Sequence, residues 1–186
     1  VSAQKRAFTI EDLYKVKNVS APLLSNSGDK LVYAVSESDL AKGQTNTTVY
    51  VMNTNGSSLV NVSEKIAGAN SPFWSSTDEL YFMNKGQLHK FSLQTNEAVQ
   101  VTDFYAGISD PVLSNDGRYI AFTAELFPEC GTDNDCNKKL DESSSNGPMQ
   151  AYIADELLFR HWTDYKGEKE SYLILFDSKE NKYQII

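Results

Sequence analysis

The sequence is poor in the residues that build most catalytic and metal centres. Its 186 residues include only two cysteines and two histidines. No G-x-S-x-G, H-E-x-x-H, phosphate-loop or EF-hand pattern is present. Neither His89 nor His161 has a serine or cysteine partner that a motif would supply. These residues therefore predict a non-catalytic scaffold or binding module, with no cofactor and no metal site.

Positive charge and long apolar runs are also scarce. Lysine and arginine number 17 against 25 acidic residues, which gives a net charge of −8. Because the basic residues form no cluster, we expect no nucleic acid or anionic membrane partner. No run of 18 apolar residues occurs, so we expect no membrane-spanning helix.

Both cysteines lie in one polar segment, E-C-G-T-D-N-D-C-N. Five residues separate Cys130 from Cys136. A metal-binding pair is the alternative interpretation, but no further Cys or His is near enough in the sequence to complete four ligands. We therefore expect a small local disulfide, formed in an oxidising compartment, that stiffens this loop.

The most informative feature that is present is a repeat. Three segments share a proline, two apolar residues, a serine, a turn and an alternating apolar strand, and a hairpin pattern follows each of them. The first parts are PLLSNSGDKLVYA from Pro22, PFWSSTDELYFM from Pro72 and PVLSNDGRYIAFT from Pro111. The hairpins are VYVMNTNGSSLVNVS from Val49, LHKFSLQTNEAVQVT from Leu88 and YLILFDSKENKYQII from Tyr172.

The turns of the repeat carry the residues that tight reversals require. In the third copy the turn is Asn115–Gly117, and in the first it is Ser27–Asp29. Asn and Asp tolerate the left-handed region, and Gly enters it without steric cost. The second copy has no glycine here, so Thr77 and Asp78 must make the turn. The hairpins are predicted to turn at Asn55-Gly56, Thr95-Asn96-Glu97 and Lys179-Glu180-Asn181.

Four short strands in a repeat of about 40–50 residues are typical of a β-propeller blade. We predict an all-β partial β-propeller of three four-stranded, WD40-like blades, with a short helical insertion in the third. The predicted domains are an N-terminal arm with a short helix at 1–19, blades at about 20–64, 70–103 and 109–186, and an insertion at about 125–170.

A closed propeller needs about four blades or more. We therefore expect this chain to be part of a longer protein, with open blade edges through which two copies could associate. The small residues Val1, Ser2 and Ala3 fit the end of a signal-peptidase site as well as they fit an arbitrary boundary.

The insertion is the most distinctive segment of the chain. Its polar run KKLDESSSNGP is predicted to be a surface loop. In the segment that follows, apolar residues at helical spacing predict a helix over about 151–162, which ends near Gly167. This helix either covers a sheet edge or projects over the propeller mouth towards a ligand or another domain. A second short helix is predicted to begin at Thr9, in T-I-E-D.

These segments together resemble peptidases of the prolyl oligopeptidase family, in the branch of dipeptidyl peptidase 5 and the acylaminoacyl peptidases. The likeness rests on FTIEDLYKVKNVSAPLLSNSGDKLVYAV, on PVLSNDGRYIAFTAE, and on FPECGTDNDCNKK followed by ELLFRHWTDYKGEKESYLILFD. It covers most of the chain. The repeat itself is shared with TolB-type propellers, whereas the cysteine loop with Arg160-His161-Trp162 is more specific.

The resemblance implies a secreted or periplasmic serine exopeptidase that cleaves short peptides. Its triad would lie in a C-terminal α/β-hydrolase domain outside this chain, which is the expected partner. The propeller would limit access and anchor substrate. The candidate substrate-binding residues are Asp155, Glu156, Arg160 and Trp162, and the two carboxylates suit a substrate ammonium. The alternative is a TolB-like periplasmic propeller that binds a protein.

Overall fold

The computed structural model describes residues 6–145, 160–161, 164–165 and 167–186, and these form three four-stranded antiparallel sheets. The predicted partial propeller is therefore confirmed. Contacts divide the chain into two compact units. One comprises the residues up to Lys85 with His89–Gln100, and the other comprises Gly86–Leu88 with the residues from Val101 onward.

Each sheet uses strands that are consecutive in the sequence, apart from the insertion in the third. The first sheet contains β1 (Asn18–Leu24), β2 (Lys30–Asp39), β3 (Gln44–Asn53) and β4 (Val60–Asn61). The second contains β5 (Asn70–Trp74), β6 (Leu80–Asn84), β7 (Gln87–Ser92) and β8 (Glu97–Gln100). The third contains β9 (Ser109–Leu113), β10 (Tyr119–Leu126), β13 (Glu170–Asp177) and β14 (Lys182–Ile185).

Short elements lie outside the sheets. They are α1 (Ile10–Leu13), a 3₁₀ turn (Val62–Glu64), α2 (Asn134–Ser145), and a two-stranded pair of β11 (Arg160–His161) with β12 (Asp164–Tyr165). The helix α1 begins after Thr9, whose backbone N–H donates to the Asp12 carboxylate at 3.1 Å. Within the described residues, neither helix is long and apolar enough to cross a bilayer.

The repeated serine closes the turn before the second strand of each sheet. Its backbone N–H donates to the carbonyl of the first residue beyond the turn, and that residue's N–H donates back to the serine Oγ. The backbone bonds are 2.9, 2.9 and 2.8 Å long at Ser25, Ser75 and Ser114. The bonds to Oγ are 3.1, 3.1 and 2.9 Å long, from Lys30, Glu79 and Tyr119. A hydroxyl is thus needed there to satisfy a backbone donor.

The repeated proline marks a bulge in the first strand of each sheet. The residue before it has a positive φ in all three copies: 50° at Ala21, 46° at Ser71 and 50° at Asp110. Strand pairing shifts register at the same places. Because proline cannot donate to a neighbouring strand, the bulge accommodates it without breaking the sheet further.

Asp78 takes the place of the glycine that the second copy lacks. The N–H groups of Gly28 and Gly117 donate to the carbonyl of the repeated serine at 2.9 Å, and the N–H of Asp78 makes the same bond at 3.1 Å. All three residues are left-handed, with φ of 74°, 69° and 60° respectively. The second turn therefore keeps the geometry of the others with one residue fewer.

The side chain of Asp78 also ties the first two sheets together. Its carboxylate accepts the backbone N–H groups of Asn26 and Ser27 in the first turn. Two further bonds join the same sheets, from Asn26 Nδ2 to the Ser75 carbonyl at 2.7 Å and from Trp74 Nε1 to the Leu23 carbonyl at 3.1 Å. Below them lies the shared apolar core of Val32, Val49, Val51, Val62, Ala69, Leu80, Phe82 and Phe91.

The second unit has an aromatic core. Tyr183 stacks on Phe176 with ring centroids 4.4 Å apart and lies 4.8 Å from Phe104. Its hydroxyl accepts the backbone N–H of Asp103 at 3.1 Å. Burial raises the pKa of Tyr183. Other buried side chains of this unit include Ile120, Phe122, Leu126 and Ile174.

The first predicted hairpin forms, with a short return strand, β4, that ends where the chain enters the 3₁₀ turn at Val62. Two local predictions are wrong. The polar run from Lys138 to Ser145, predicted as loop, is helical in α2. The helix predicted over 151–162 does not include Arg160 and His161, which form β11, and the rest of that prediction lies outside the described residues.

The Asp78 carboxylate predicts a specific loss on substitution. Asp78→Asn and Asp78→Gly should both lower the melting temperature by a few degrees, since each removes the anionic acceptor of two backbone N–H groups. Glycine fits the left-handed φ, so it isolates the effect of the carboxylate from that of strain. Thermal unfolding measures the melting temperatures of the two variants, and Glu97→Gln on β8 is the control. A variant with glycine that melts as high as the parent would contradict the role of the side chain.

The pair of Arg118 and Asp177 predicts a pH dependence of stability. Arg118 donates to both carboxylate oxygens at 2.6–3.1 Å and, with the N–H groups of Lys179 and Glu180, lowers the pKa of Asp177 to about 2. The folded pKa lies below the unfolded one, so the stabilisation is present above the ordinary aspartate pKa of about 3.9 and is lost as pH falls towards 2.

The melting temperatures of the parent and of Asp177→Asn should therefore differ most above about pH 4 and converge near pH 2. Thermal unfolding at a series of pH values measures this difference, with Glu180→Gln as the control that shows no such trend. A difference that stays constant over this range would contradict the assignment.

Candidate functional site at the insertion of the third sheet

One of the four candidate substrate-binding residues, Arg160, lies within the described residues. Asp155, Glu156 and Trp162 lie outside the described residues. Arg160 lies in β11, opposite Tyr165 of β12, and only its backbone is described. Their joint role in binding substrate stays a prediction. The described parts that bear on it are the base of the insertion and the strand ends beside it.

The buried side chain of Asn137 organises the base of the insertion. This residue is only 2% exposed. Its Nδ2 donates to the carbonyls of Gly131 and Asp133 at 2.9 and 2.7 Å, and its Oδ1 accepts the backbone N–H of Phe127 at 3.1 Å. One amide group thereby joins the end of β10 to the first turns of α2.

A disulfide lies beside this amide. Cys130 and Cys136 are bonded, with Cα atoms 5.5 Å apart. Cys136 is in the first turn of α2, where its N–H donates to the Asp133 carboxylate at 3.0 Å. Asp133 therefore caps the helix in the way common for aspartate. The loop is closed both by the covalent bond and by Asn137.

Further contacts hold α2 against the rest of the second unit. Asn134 accepts the backbone N–H of Tyr105 at 2.9 Å and donates to the Asp103 carbonyl at 3.1 Å. Lys169, just before β13, pairs with Asp141 of α2 at 2.7 Å and lies 5.2 Å from the centre of the Phe127 ring. The helix is thus attached near both of its ends.

Sequence reasoning missed α2 because the segment is polar throughout and shows no apolar stripe. Two signals could have found it. Aspartate at position 133 is a favoured N-cap, and Lys138 and Glu142 are four residues apart, as in helix-stabilising pairs. In the structure their charged atoms are 4.0 Å apart.

A cavity of about 290 Å³ lies at the strand ends from which the insertion leaves. Sequence reasoning singled out none of its residues, because they come from three separate strands. Its polar side chains are three hydroxyls and one carboxylate, and two alanines and the backbone around Gly107 complete the lining. The lining residues are Ala106, Gly107, Ser109, Thr123, Ala124, Glu125 and Ser171.

Gly107 shapes this cavity through a close approach of two backbone segments. Its φ is 75°, and a Cβ there would lie 3.4 Å from the carbonyl oxygen of Gly86. The Gly86 carbonyl accepts the N–H of Ile108 at 2.8 Å. A larger residue at position 107 would therefore be strained by its backbone conformation and by crowding.

Carboxylates lie near Tyr172, the neighbour of the lining residue Ser171 on β13, whose side chain is on the other face of the strand. Burial and the nearby carboxylates of Glu170 and Glu129 raise the pKa of Tyr172. Glu170 also accepts the Tyr172 hydroxyl at 3.4 Å. Across the part of the chain that the structure describes, no three Asp, Glu, His or Cys residues come together as a metal site.

The sequence of the chain is similar to that of a known peptidase. No family model matches the chain. Dipeptidyl-peptidase 5 of Porphyromonas endodontalis is 24% identical over 170 residues, which are 88% of this chain and 23% of that protein. The chain thus spans about a quarter of the length of the curated relative that it matches. The resemblance expected from the sequence is confirmed by this relative.

Solved structures support the fold. Acylaminoacyl peptidase of Pyrococcus horikoshii aligns with a TM-score of 0.65 and 14% identity, over 94% of this chain and 25% of its own. The β-propeller domain of the trilobed protease from Pyrococcus furiosus aligns with a TM-score of 0.52 and 12% identity, over 92% and 43%. A TolB protein from Agrobacterium tumefaciens aligns less well, with a TM-score of 0.48 and 13% identity, over 87% and 46%.

Asn137 should dominate the stability of the insertion base. Asn137→Ala should lower the free energy of unfolding by about 2–3 kcal/mol, since it leaves the buried N–H of Phe127 and the carbonyl of Gly131 without their partner and removes one of the two bonds to the Asp133 carbonyl. Asn137→Asp keeps the shape and the acceptor but sets an oxygen against the Gly131 and Asp133 carbonyls, so it should cost at least as much. Denaturant unfolding measures both.

Asn46→Ala removes an exposed amide on β3 and is the matched control, which should change stability by less than about 0.5 kcal/mol. The double variant Cys130→Ser with Cys136→Ser measures the contribution of the disulfide separately. The short ring closed by the disulfide contributes at most about 2 kcal/mol. If Asn137→Ala matches Asn46→Ala, the amide does not organise this segment.

Proposed function

We propose that this chain is a non-catalytic propeller segment of a secreted or periplasmic serine exopeptidase that hydrolyses short peptides. The observation that carries the proposal is the match to a dipeptidyl-peptidase 5 over 88% of the chain. The serine, aspartate and histidine of the reaction would lie in an α/β-hydrolase domain elsewhere in the same protein. That domain is the partner of this segment.

The segment would contribute access control and substrate anchoring. The bonds of Asn137, Asn134 and Lys169 attach its insertion to the rest of the second unit. Groups on rigid scaffolds often position ligands. In this role Asp155 and Glu156 accept the ammonium of a peptide, and Arg160 and Trp162 contact the chain that follows it.

The alternative is a TolB-like periplasmic propeller that binds a protein partner. It differs from the peptidase in having no catalytic domain, so one experiment separates them. The intact gene product should release dipeptides from a chromogenic dipeptidyl substrate, because it carries both the propeller and the nucleophile. This 186-residue chain alone should not. Loss of activity after treatment with a serine-directed fluorophosphonate serves as the control.

The anchoring role is tested in the same gene product. The double variant Asp155→Asn with Glu156→Gln should raise KM for free-amine substrates by about tenfold and leave N-acylated substrates unaffected, since only the former carry the ammonium. Lys139→Gln, on the exposed side of α2, is the matched control. An intact product without peptidase activity would favour the protein-binding alternative.

A further inference from the structure

The cavity at the end of the third sheet offers hydrogen-bond acceptors and no basic group. Its lining side chains carry the hydroxyls of Ser109, Thr123 and Ser171 and the carboxylate of Glu125, and no lysine, arginine or histidine is among its described lining residues. Hydroxyl and carboxylate oxygens all accept N–H donors. These oxygens therefore suit a ligand that carries several N–H donors.

Glu125 is the charged group of this set that is free to bind. It is exposed, and it has no ion-pair partner within the described residues. Asp141 and Asp177, in the same unit, are by contrast neutralised by Lys169 and Arg118. A carboxylate that has no ion-pair partner among the described residues, beside three hydroxyls, favours a cation over an anion.

The cavity is small. Its volume of about 290 Å³ lies near the lower end of the range for small-molecule pockets, which suits a small charged group. The three hydroxyls come from β9, β10 and β13. Ser109 pairs with Thr123 and Ser171 pairs with Glu125, so these side chains share one face of the sheet and can together accept the N–H donors of an ammonium.

We propose that this cavity binds a primary alkylammonium group, with Glu125 as counter-ion and Ser109, Thr123 and Ser171 as acceptors. A peptide supplies such a group either as its amino terminus or as a lysine side chain. This proposal rests on the proposed function in one respect, namely that a peptide supplies the amine. It adds a site that is separate from Asp155 and Glu156.

Binding to the intact gene product tests this proposal with three small probes. Glycinamide carries an α-ammonium, Nα-acetyl-lysine amide carries only an ε-ammonium, and Nα-acetylnorleucine amide carries neither. Titration followed by NMR shifts of residues 106–109 and 123–125 should show saturable binding of at least one charged probe and none of the neutral one. The charged probe that binds identifies the source.

Glu125→Gln should weaken the bound probe at least about fivefold, and Thr123→Val should weaken it by a smaller factor. Glu129→Gln, which removes a nearby charge outside the lining, is the matched control and should change affinity less than about twofold. Equal effects of both glutamate variants, or equal binding of the neutral probe, would overturn the proposal. Neither result bears on peptide hydrolysis, so failure here leaves the peptidase assay to decide the proposed function.

Discussion

Strand register depends on one small interaction that recurs in each of the three four-stranded sheets. A serine hydroxyl accepts the backbone N–H of the first residue beyond the turn, and this fixes where the second strand begins. Side chains alternate between faces, so a slip of one residue would move the apolar side chains to the opposite face. The apolar cores around Phe82 and Phe122 both depend on this closure.

The second copy shows how much of that geometry is essential. It has one residue fewer in the turn and no glycine, yet Asp78 adopts the same left-handed conformation. An aspartate can occupy that region at a modest cost. The replacement also adds a carboxylate that reaches the first turn, so the irregular copy connects two sheets that the regular turns alone would not join in this way.

The third sheet differs from the other two in the segment that connects its second and third strands, β10 and β13. Where the other two sheets have a hairpin between their second and third strands, this one has the disulfide loop, α2 and the segment beyond it. Asn137, Asn134 and Lys169 hold these parts against the rest of the second unit, each through a polar contact. The same strand ends enclose the hydroxyl-lined cavity, so the insertion and the cavity share one support.

The sequence by itself determined the repeat, the three four-stranded sheets and the turn positions, because proline, serine, glycine and alternating apolar residues act over a few neighbours. It also indicated the pairing of Cys130 with Cys136. The tertiary structure alone decided that Asp78 reaches Asn26 and that Asn137 closes the insertion base. It alone gathered Ser109, Glu125 and Ser171 into one cavity. Those groups are far apart in the chain, and only the pairing and packing of strands bring them together.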